Sequence, residues 1–232
     1  MKRLSLLKSM SLGALLIVLA AGCRQNYVRP YGYYGNYYDI AALQFVNASP
    51  DAPGVNLHLN ENRVNGLYGY TDNSNYFNAY SGTRAAHIYE GGTKKLSSDI
   101  ELKKNRYYSL FLAGRFATPE LVLLEDSLKK PASGKTHIRF VNMSLGAPSL
   151  DLGLANGTTL VAGRTYKQNS GYVAVDGDTK YTFVIRERGA TTVKVTLPET
   201  TLATGRSYTI WVKGAYADAG LTGVGGEIMR NY

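Results

Sequence analysis

The residues that could catalyse a reaction or bind a metal are few in this sequence, and they lie far apart. The three histidines, His58, His87 and His137, show neither H-x-H nor H-E-x-x-H spacing. A zinc site needs three or four converging ligands, and the only cysteine, Cys23, stands near the N-terminus. The sequence also lacks the G-x-S-x-G elbow of a hydrolase. We therefore expect no metal site, no cofactor and no catalytic residue.

The N-terminus has the pattern of a secretory signal followed directly by that cysteine. Residues 1–22 combine a basic start, an apolar stretch over 12–19 and a small-residue exit. The apolar stretch is too short for a comfortable transmembrane span. The segment resembles a bacterial lipoprotein signal, although Ala20 stands where that pattern prefers leucine. We expect residues 1–22 to be removed and Cys23 to be lipidated; an ordinary signal peptide or an uncleaved anchor is the alternative.

The stretch that follows is rich in tyrosine. Residues 24–39 contain six tyrosines, two glycines and a proline, with no strand or helix period. We interpret residues 23–39 as the lipidated cysteine and a tether. The alternative is that these tyrosines stack on glycan rings or rest at lipid headgroups.

Two phrases occur twice in the rest of the chain. FVNASPDAPGVNLHL at 45–59 returns as FVNMSLGAPSLDLGL at 140–154, and NRYYSLFLAG at 105–114 is matched by GRSYTIWVKG at 205–214. Two ordered sets of matches indicate a duplicated domain. In each copy, Asn and Ser can start a turn and proline keeps the connection out of a sheet, so we interpret the first phrase as a corner between two strands.

The repeats divide the chain into two domains, at 40–126 and 136–232, joined by a polar linker at 127–135. Each domain contains short strand-like runs separated by turn residues, without a convincing helix. This pattern predicts an all-β chain of two tandem immunoglobulin-like antiparallel β-sandwiches after the signal peptide. Phe111 and Trp211, at matched positions of the repeat, are predicted core aromatics.

The phrase FVNASPDAPGVNLHL also resembles the signature of a bacterial envelope family, the domain of unknown function 4397 (DUF4397). The resemblance covers roughly residues 40–230, more closely in the first copy. It implies a Bacteroidota-type envelope lipoprotein with immunoglobulin-like domains in tandem. The family has no established activity, cofactor or catalytic residue, so the resemblance implies none for this chain.

Two surface features have more than one interpretation. The chain has a formal charge of +9, with lysine clusters at 94–95, 103–106 and 129–130. These clusters are either solvated strand edges or a surface that attracts anionic envelope polymers. Asp126-Ser127-Leu128 resembles the O-glycosylation acceptor of Bacteroidota, which makes Ser127 a candidate for modification.

We therefore predict a non-catalytic structural or adhesive binding module, anchored by lipid in the cell envelope, at the periplasmic or outer face of the outer membrane. Its partners would be the membrane, through the anchor, and an envelope protein or glycan, but not nucleic acid. The alternative is an accessory protein that binds glycan or lipopolysaccharide. In that case the candidate stacking residues, besides those of the tether, are Tyr68, Tyr70, Tyr76 and Tyr80.

Overall fold

A computed structural model describes residues 39–231 of the chain. The predicted signal peptide, the lipidation site Cys23 and the tether up to residue 38 lie outside the described residues. Within 39–231, no helix has the length and apolar character that crossing a membrane requires.

The first domain is a sandwich of two four-stranded sheets, with strand orders β4-β1-β7-β8 and β3-β2-β5-β6. Buried side chains of both sheets, such as Phe45, Leu57 and Ile88, form its core. Its strands are β1 (Ile40–Asn47), β2 (Asn56–Leu59), β3 (Asn62–Arg63), β4 (Phe77–Tyr80), β5 (Gly82–Glu90), β6 (Thr93–Leu102), β7 (Tyr107–Ala113) and β8 (Glu120–Glu125).

The second domain repeats this plan with sheets ordered β12-β9-β17-β18 and β11-β10-β14-β15, plus the pair β13-β16. Phe140, Leu152 and Ile185 lie in its core. A short 3-10 helix, Gly220–Thr222, precedes the last strand. Its strands are β9 (Lys135–Asn142), β10 (Leu150–Leu154), β11 (Thr159–Arg164), β12 (Asn169–Asp176), β13 (Thr179–Tyr181), β14 (Phe183–Glu187), β15 (Val193–Thr196), β16 (Thr200–Leu202), β17 (Ser207–Lys213) and β18 (Gly225–Arg230).

The predicted all-β fold class is confirmed, and most strand pairs are antiparallel as expected. One pair in each domain is parallel: β1 with β7 and β9 with β17. In both copies the first strand therefore runs beside the next-to-last strand in the same direction. The sequence did not predict this pairing, because strand periodicity carries no information on relative direction.

The repeated phrase forms the same corner twice. The Asn47 side-chain amide donates to the carbonyl of Tyr68 at 3.0 Å, and its oxygen accepts from the backbone of Ser49 at 3.2 Å. Asn142 makes the matching bonds to Arg164 and Ser144, both at 3.0 Å. Each asparagine thus links the end of the first strand of its domain to the neighbouring segment of chain by hydrogen bonds. This explains why both copies contain it.

A third core joins the two sandwiches. The sheets that contain β1 and β9 face each other, so each is buried on both sides. Phe111 and Trp211 are buried as predicted, and they meet edge to face across this contact, with ring centroids 5.9 Å apart. The remaining buried members of this cluster are Val46, Ala48, Ala113, Leu124, Val141, Met143 and Met229.

Polar contacts between the domains surround that core. The guanidinium of Arg115 binds both carboxylate oxygens of Asp218, at 2.6 and 2.7 Å. The hydroxyl of Tyr166 donates to Glu120 at 2.8 Å. The linker is also packed, since Leu128 contacts the buried pair Ala42 and Tyr107. The two sandwiches are therefore held together by an apolar core with a polar rim.

Candidate binding site

A cavity of about 750 Å³ opens on one side of the first sandwich. It lies between the edge strands β3 and β4 and the segment that connects them. Its size is typical of a small-ligand site. Its lining residues are Leu59, Asn60, Asn62, Arg63, Val64, Asn65, Tyr68, Asn73, Ser74, Asn75, Tyr76, Phe77, Asn78, Ala79, Tyr80 and Arg84.

Short edge strands leave this cavity open. In the first domain β3 has 2 residues and β4 has 4, whereas the matching strands of the second domain, β11 and β12, have 6 and 8. An edge strand that ends early leaves the space between the two sheets without a cover. The edge strands that border the cavity are therefore shorter in the first copy than in the second.

The wall of the cavity is dominated by asparagine. Six asparagines line it, and one of them, Asn60, is fixed because its side-chain oxygen accepts from the backbone of Ala85 at 2.9 Å. Four others are exposed and make no side-chain hydrogen bond to the described residues: Asn62, Asn65, Asn75 and Asn78. A primary amide offers a donor and an acceptor side by side, as pairs of sugar hydroxyls require.

Three of the four predicted stacking tyrosines line this cavity, and they differ in solvent exposure. Tyr80 is 61% exposed, so much of its ring is accessible to a ligand. Tyr68 is only 7% exposed; it packs edge-on against Phe45, and its hydroxyl donates to the carbonyl of Asn65 at 2.6 Å. Burial raises the pKa of Tyr68. Tyr68 therefore supports the cavity wall and offers no ring face for stacking.

Tyr76 connects the cavity to the contact between the domains. It is half-buried, and its hydroxyl donates to a carboxylate oxygen of Asp126. The same hydroxyl accepts from the amide of Asn231 at 3.2 Å. Burial, and then the charge of Asp126, raise the pKa of Tyr76 well above its usual range. The tyrosine therefore stays protonated and fixed in place.

Tyr70, the fourth candidate, lies outside the cavity lining and contacts the second domain. The ammonium of Lys213 lies 5.6 Å from the centroid of its ring. Burial, followed by the charge of Glu227, raises the pKa of Tyr70. Its role in the structure is contact between domains, and the assignment of the four tyrosines to glycan stacking stays a prediction.

The other predicted sites are placed as follows. Ser127 is exposed, but the preceding Asp126 is 2% exposed and bonded to Arg139, so the proposed acceptor motif is only partly accessible in the folded chain. His58 and His87 are directly opposed on β2 and β5, which their sequence separation did not suggest. No group of three metal-binding side chains occurs among residues 39–231.

Sequence reasoning named three of the tyrosines but missed the asparagines and both arginines of the cavity. A signal was present, because six asparagines fall between residues 60 and 78. Asparagine is common in turns, so this density indicated loops rather than a site. Only the lengths of the edge strands show that these loops border a cavity.

Among the comparisons with known proteins, the match to a family model is the informative one. No curated protein matches the chain. Among solved structures, the CBM26-family domain CBMbc of Eubacterium rectale Amy13K, in complex with maltoheptaose, aligns with 12% identity over 82% of this chain and 95% of its own. Its TM-score of 0.27 is too low to support an argument about fold or ligand. The family model of the domain of unknown function DUF4397 matches residues 41–153, which supports the family resemblance across the whole first sandwich and the first two strands of the second.

Proposed function

We propose that this chain is a non-catalytic glycan-binding module of the cell envelope, and that the cavity of the first sandwich is its binding site. The observation that carries the proposal is the wall of that cavity, which contains the exposed ring of Tyr80 and four exposed asparagines whose amides make no hydrogen bond to residues 39–231. An aromatic ring presents a flat face to the C–H groups of a sugar, and amides bind its hydroxyls.

This proposal ranks glycan binding ahead of a purely structural or adhesive role. A structural role alone does not account for a cavity of this size bordered by edge strands that are shorter than their counterparts in the second copy. Catalysis has less support, since the lining contains no carboxylate, histidine, cysteine or lysine that could act as an acid, a base or a nucleophile. The cavity therefore has groups that can hold a sugar, and it lacks the pair of carboxylates with which most glycosidases cleave one.

The proposed location follows from the N-terminus. The pattern of residues 1–22 before Cys23 supports export, cleavage and lipidation of that cysteine, and acyl chains attach a protein to a membrane without spanning it. The family resemblance supports a Bacteroidota envelope lipoprotein. We place it on the outer membrane, with the tether of residues 24–39 between the lipid and the first sandwich.

A glycan array probed with the mature chain, lacking residues 1–22, tests the proposed activity. A parallel protein that also lacks the tether separates binding by the cavity from binding by the tether tyrosines. We expect both proteins to bind the same glycans, and Tyr80→Ala and Asn78→Ala each to weaken that binding. Asn156→Ala, which removes an exposed asparagine of the second domain, is the matched control.

Two results would overturn the proposal. One is the absence of any bound glycan. The other is binding that persists unchanged in both cavity variants, which would place the site elsewhere on the chain. Mass spectrometry of the intact protein from membranes tests the anchor separately, because lipidation adds a defined mass to Cys23.

A further inference from the structure

The cavity carries positive charge without a carboxylate in its wall. Arg63 and Arg84 belong to the lining, and none of the lining residues is Asp or Glu. No carboxylate of residues 39–231 forms an ion pair with either arginine; Arg63 is exposed, and Arg84 is half-buried. Burial and then the charge of Arg63 lower the pKa of His58, which agrees with a positive potential at this edge.

Three basic residues at other strand ends of the same domain lie beside carboxylates. Lys95 lies 2.8 Å from Glu90, and Lys104 lies 2.7 Å from Asp39. Arg106 lies 3.4 Å from Glu125. These contacts fit the interpretation of the lysine clusters as solvated strand edges. Arg63 and Arg84 make no ion pair with residues 39–231, as is also true of Lys94 and Lys103, but unlike those lysines the two arginines line the cavity.

Arg84 is held beside the exposed ring. Its Nε donates to the carbonyl of Tyr80 at 2.9 Å, and its Nη2 donates to the carbonyl of Ser81. Its Cζ lies 5.9 Å from the centroid of the Tyr80 ring. These bonds hold the guanidinium in place. Because a carbonyl oxygen has no formal charge, they do not neutralise the positive charge of Arg84. A sugar ring that stacked on Tyr80 would carry its substituents next to this guanidinium.

We infer that the cavity selects acidic glycans, in which a sugar ring carries a carboxylate, over the neutral forms of the same sugars. This inference rests on the proposed glycan-binding function and specifies its ligand. A guanidinium binds a carboxylate through two parallel N–H donors, so it recognises both charge and shape. Tyr80 and the asparagines would hold the ring and its hydroxyls, and Arg63 and Arg84 would bind its acidic group.

The test compares acidic oligosaccharides with their own methyl esters, which keep every ring and remove the charge. The mature chain is titrated by calorimetry with a panel of oligouronates and with the esterified form of each. We expect the acidic form to bind at least about tenfold more tightly, as for hydrogen bonds to charged groups. The difference should shrink in high salt, because the arginines are solvent-accessible.

Variants assign the effect to the cavity. Arg63→Gln changes an exposed side chain that makes no ion pair with residues 39–231, so it should fold normally and weaken acidic binding by a larger factor than neutral binding. Arg84→Gln also removes the bonds to the carbonyls of Tyr80 and Ser81, so its folding is checked by circular dichroism, and it too should weaken acidic binding more than neutral binding. Lys180→Gln, on the second domain, is the control for charge. Equal binding of acid and ester, or full acidic binding by both arginine variants, would overturn the inference while glycan binding stands. Failure to bind any glycan in either form would overturn the proposed function as well.

Discussion

Arg139 of β9 and Asp126, just after β8, form a fully buried ion pair between the two sandwiches. Arg139 Nη1 lies 2.5 Å from Asp126 Oδ1, and the side chains are 1% and 0% exposed. Ser109 donates to the other oxygen of Asp126 at 2.8 Å, and Arg139 Nε donates to Thr209 at 3.1 Å. Burial disfavours the charged guanidinium, but the adjacent carboxylate raises the pKa of Arg139 above its usual value. Arg139 therefore remains charged inside the protein.

The repeat places a neutral pair at the corresponding positions. Gln44 and Arg139 each directly precede the repeated Phe-Val-Asn, and Asp126 and Asn231 each follow the last strand of their domain. The amide of Asn231 donates to Gln44 at 3.4 Å, and its oxygen accepts from Thr209 at 2.6 Å. The contact between the domains thus contains two related pairs, one charged and one uncharged.

This relationship predicts how the ion pair can be replaced. Arg139→Gln or Asp126→Asn alone leaves one buried charge without its partner, and we expect each to lower the free energy of unfolding by about 3–5 kcal/mol. The double variant recreates the neutral pair and should recover most of that loss. Chemical denaturation of the four proteins measures the coupling; losses that simply add in the double variant would contradict the prediction.

The core between the sandwiches predicts that both domains unfold together. Trp211 is the only tryptophan, is 1% exposed and touches Phe111 of the other domain. Its fluorescence reports on the contact, whereas far-ultraviolet circular dichroism reports on all strands. We expect the two signals to give the same denaturation midpoint.

Phe111→Ala should lower stability by about 3–5 kcal/mol, because the surrounding core cannot close completely around the lost ring. The fluorescence transition should then come before the loss of strand signal. Leu221→Ala, at a side chain that is 92% exposed, is the control and should change neither midpoint. Separate transitions in the unmodified protein would show that the domains are independent.

The sequence predicted the features that depend on local pattern. Alternation and turn residues predicted the strands, and the repeat predicted that both copies share one corner. It could not predict that one sheet of each sandwich is buried against the other sandwich. An arginine within a strand, such as Arg139, usually indicates a solvent-facing position, and only the structure shows its buried partner Asp126. The cavity could not be predicted from the sequence for a similar reason. Its asparagines have the pattern of turn residues, and the opening that they border depends on where β3 and β4 end.

The corner asparagines yield a prediction for each copy. Asn47→Ala removes both side-chain bonds and leaves the buried amide of Ser49 without that acceptor, so we expect a loss of about 2–4 kcal/mol. Asn142→Ala should cost a similar amount, since its bonds are the same. Asn62→Ala, at an exposed position, should stay within about 0.5 kcal/mol. Unequal losses at the two corners would show that the shared phrase has different roles in the two domains.

His58 predicts a dependence of stability on pH. Burial, and then the charges of Arg63 and His87, lower the pKa of His58 below its usual 6.5. Because the unfolded chain then binds the proton more readily, this contribution to stability is complete above about pH 6.5 and is lost as the pH falls through the folded value. Denaturation of the protein and of His58→Gln at about pH 8 and about pH 5.5 isolates the effect, because all other titrating groups are common to both. The unmodified protein should lose more stability on acidification than the variant does. An equal loss would mean that neither burial nor the neighbouring charges lower the pKa of His58 in the folded protein.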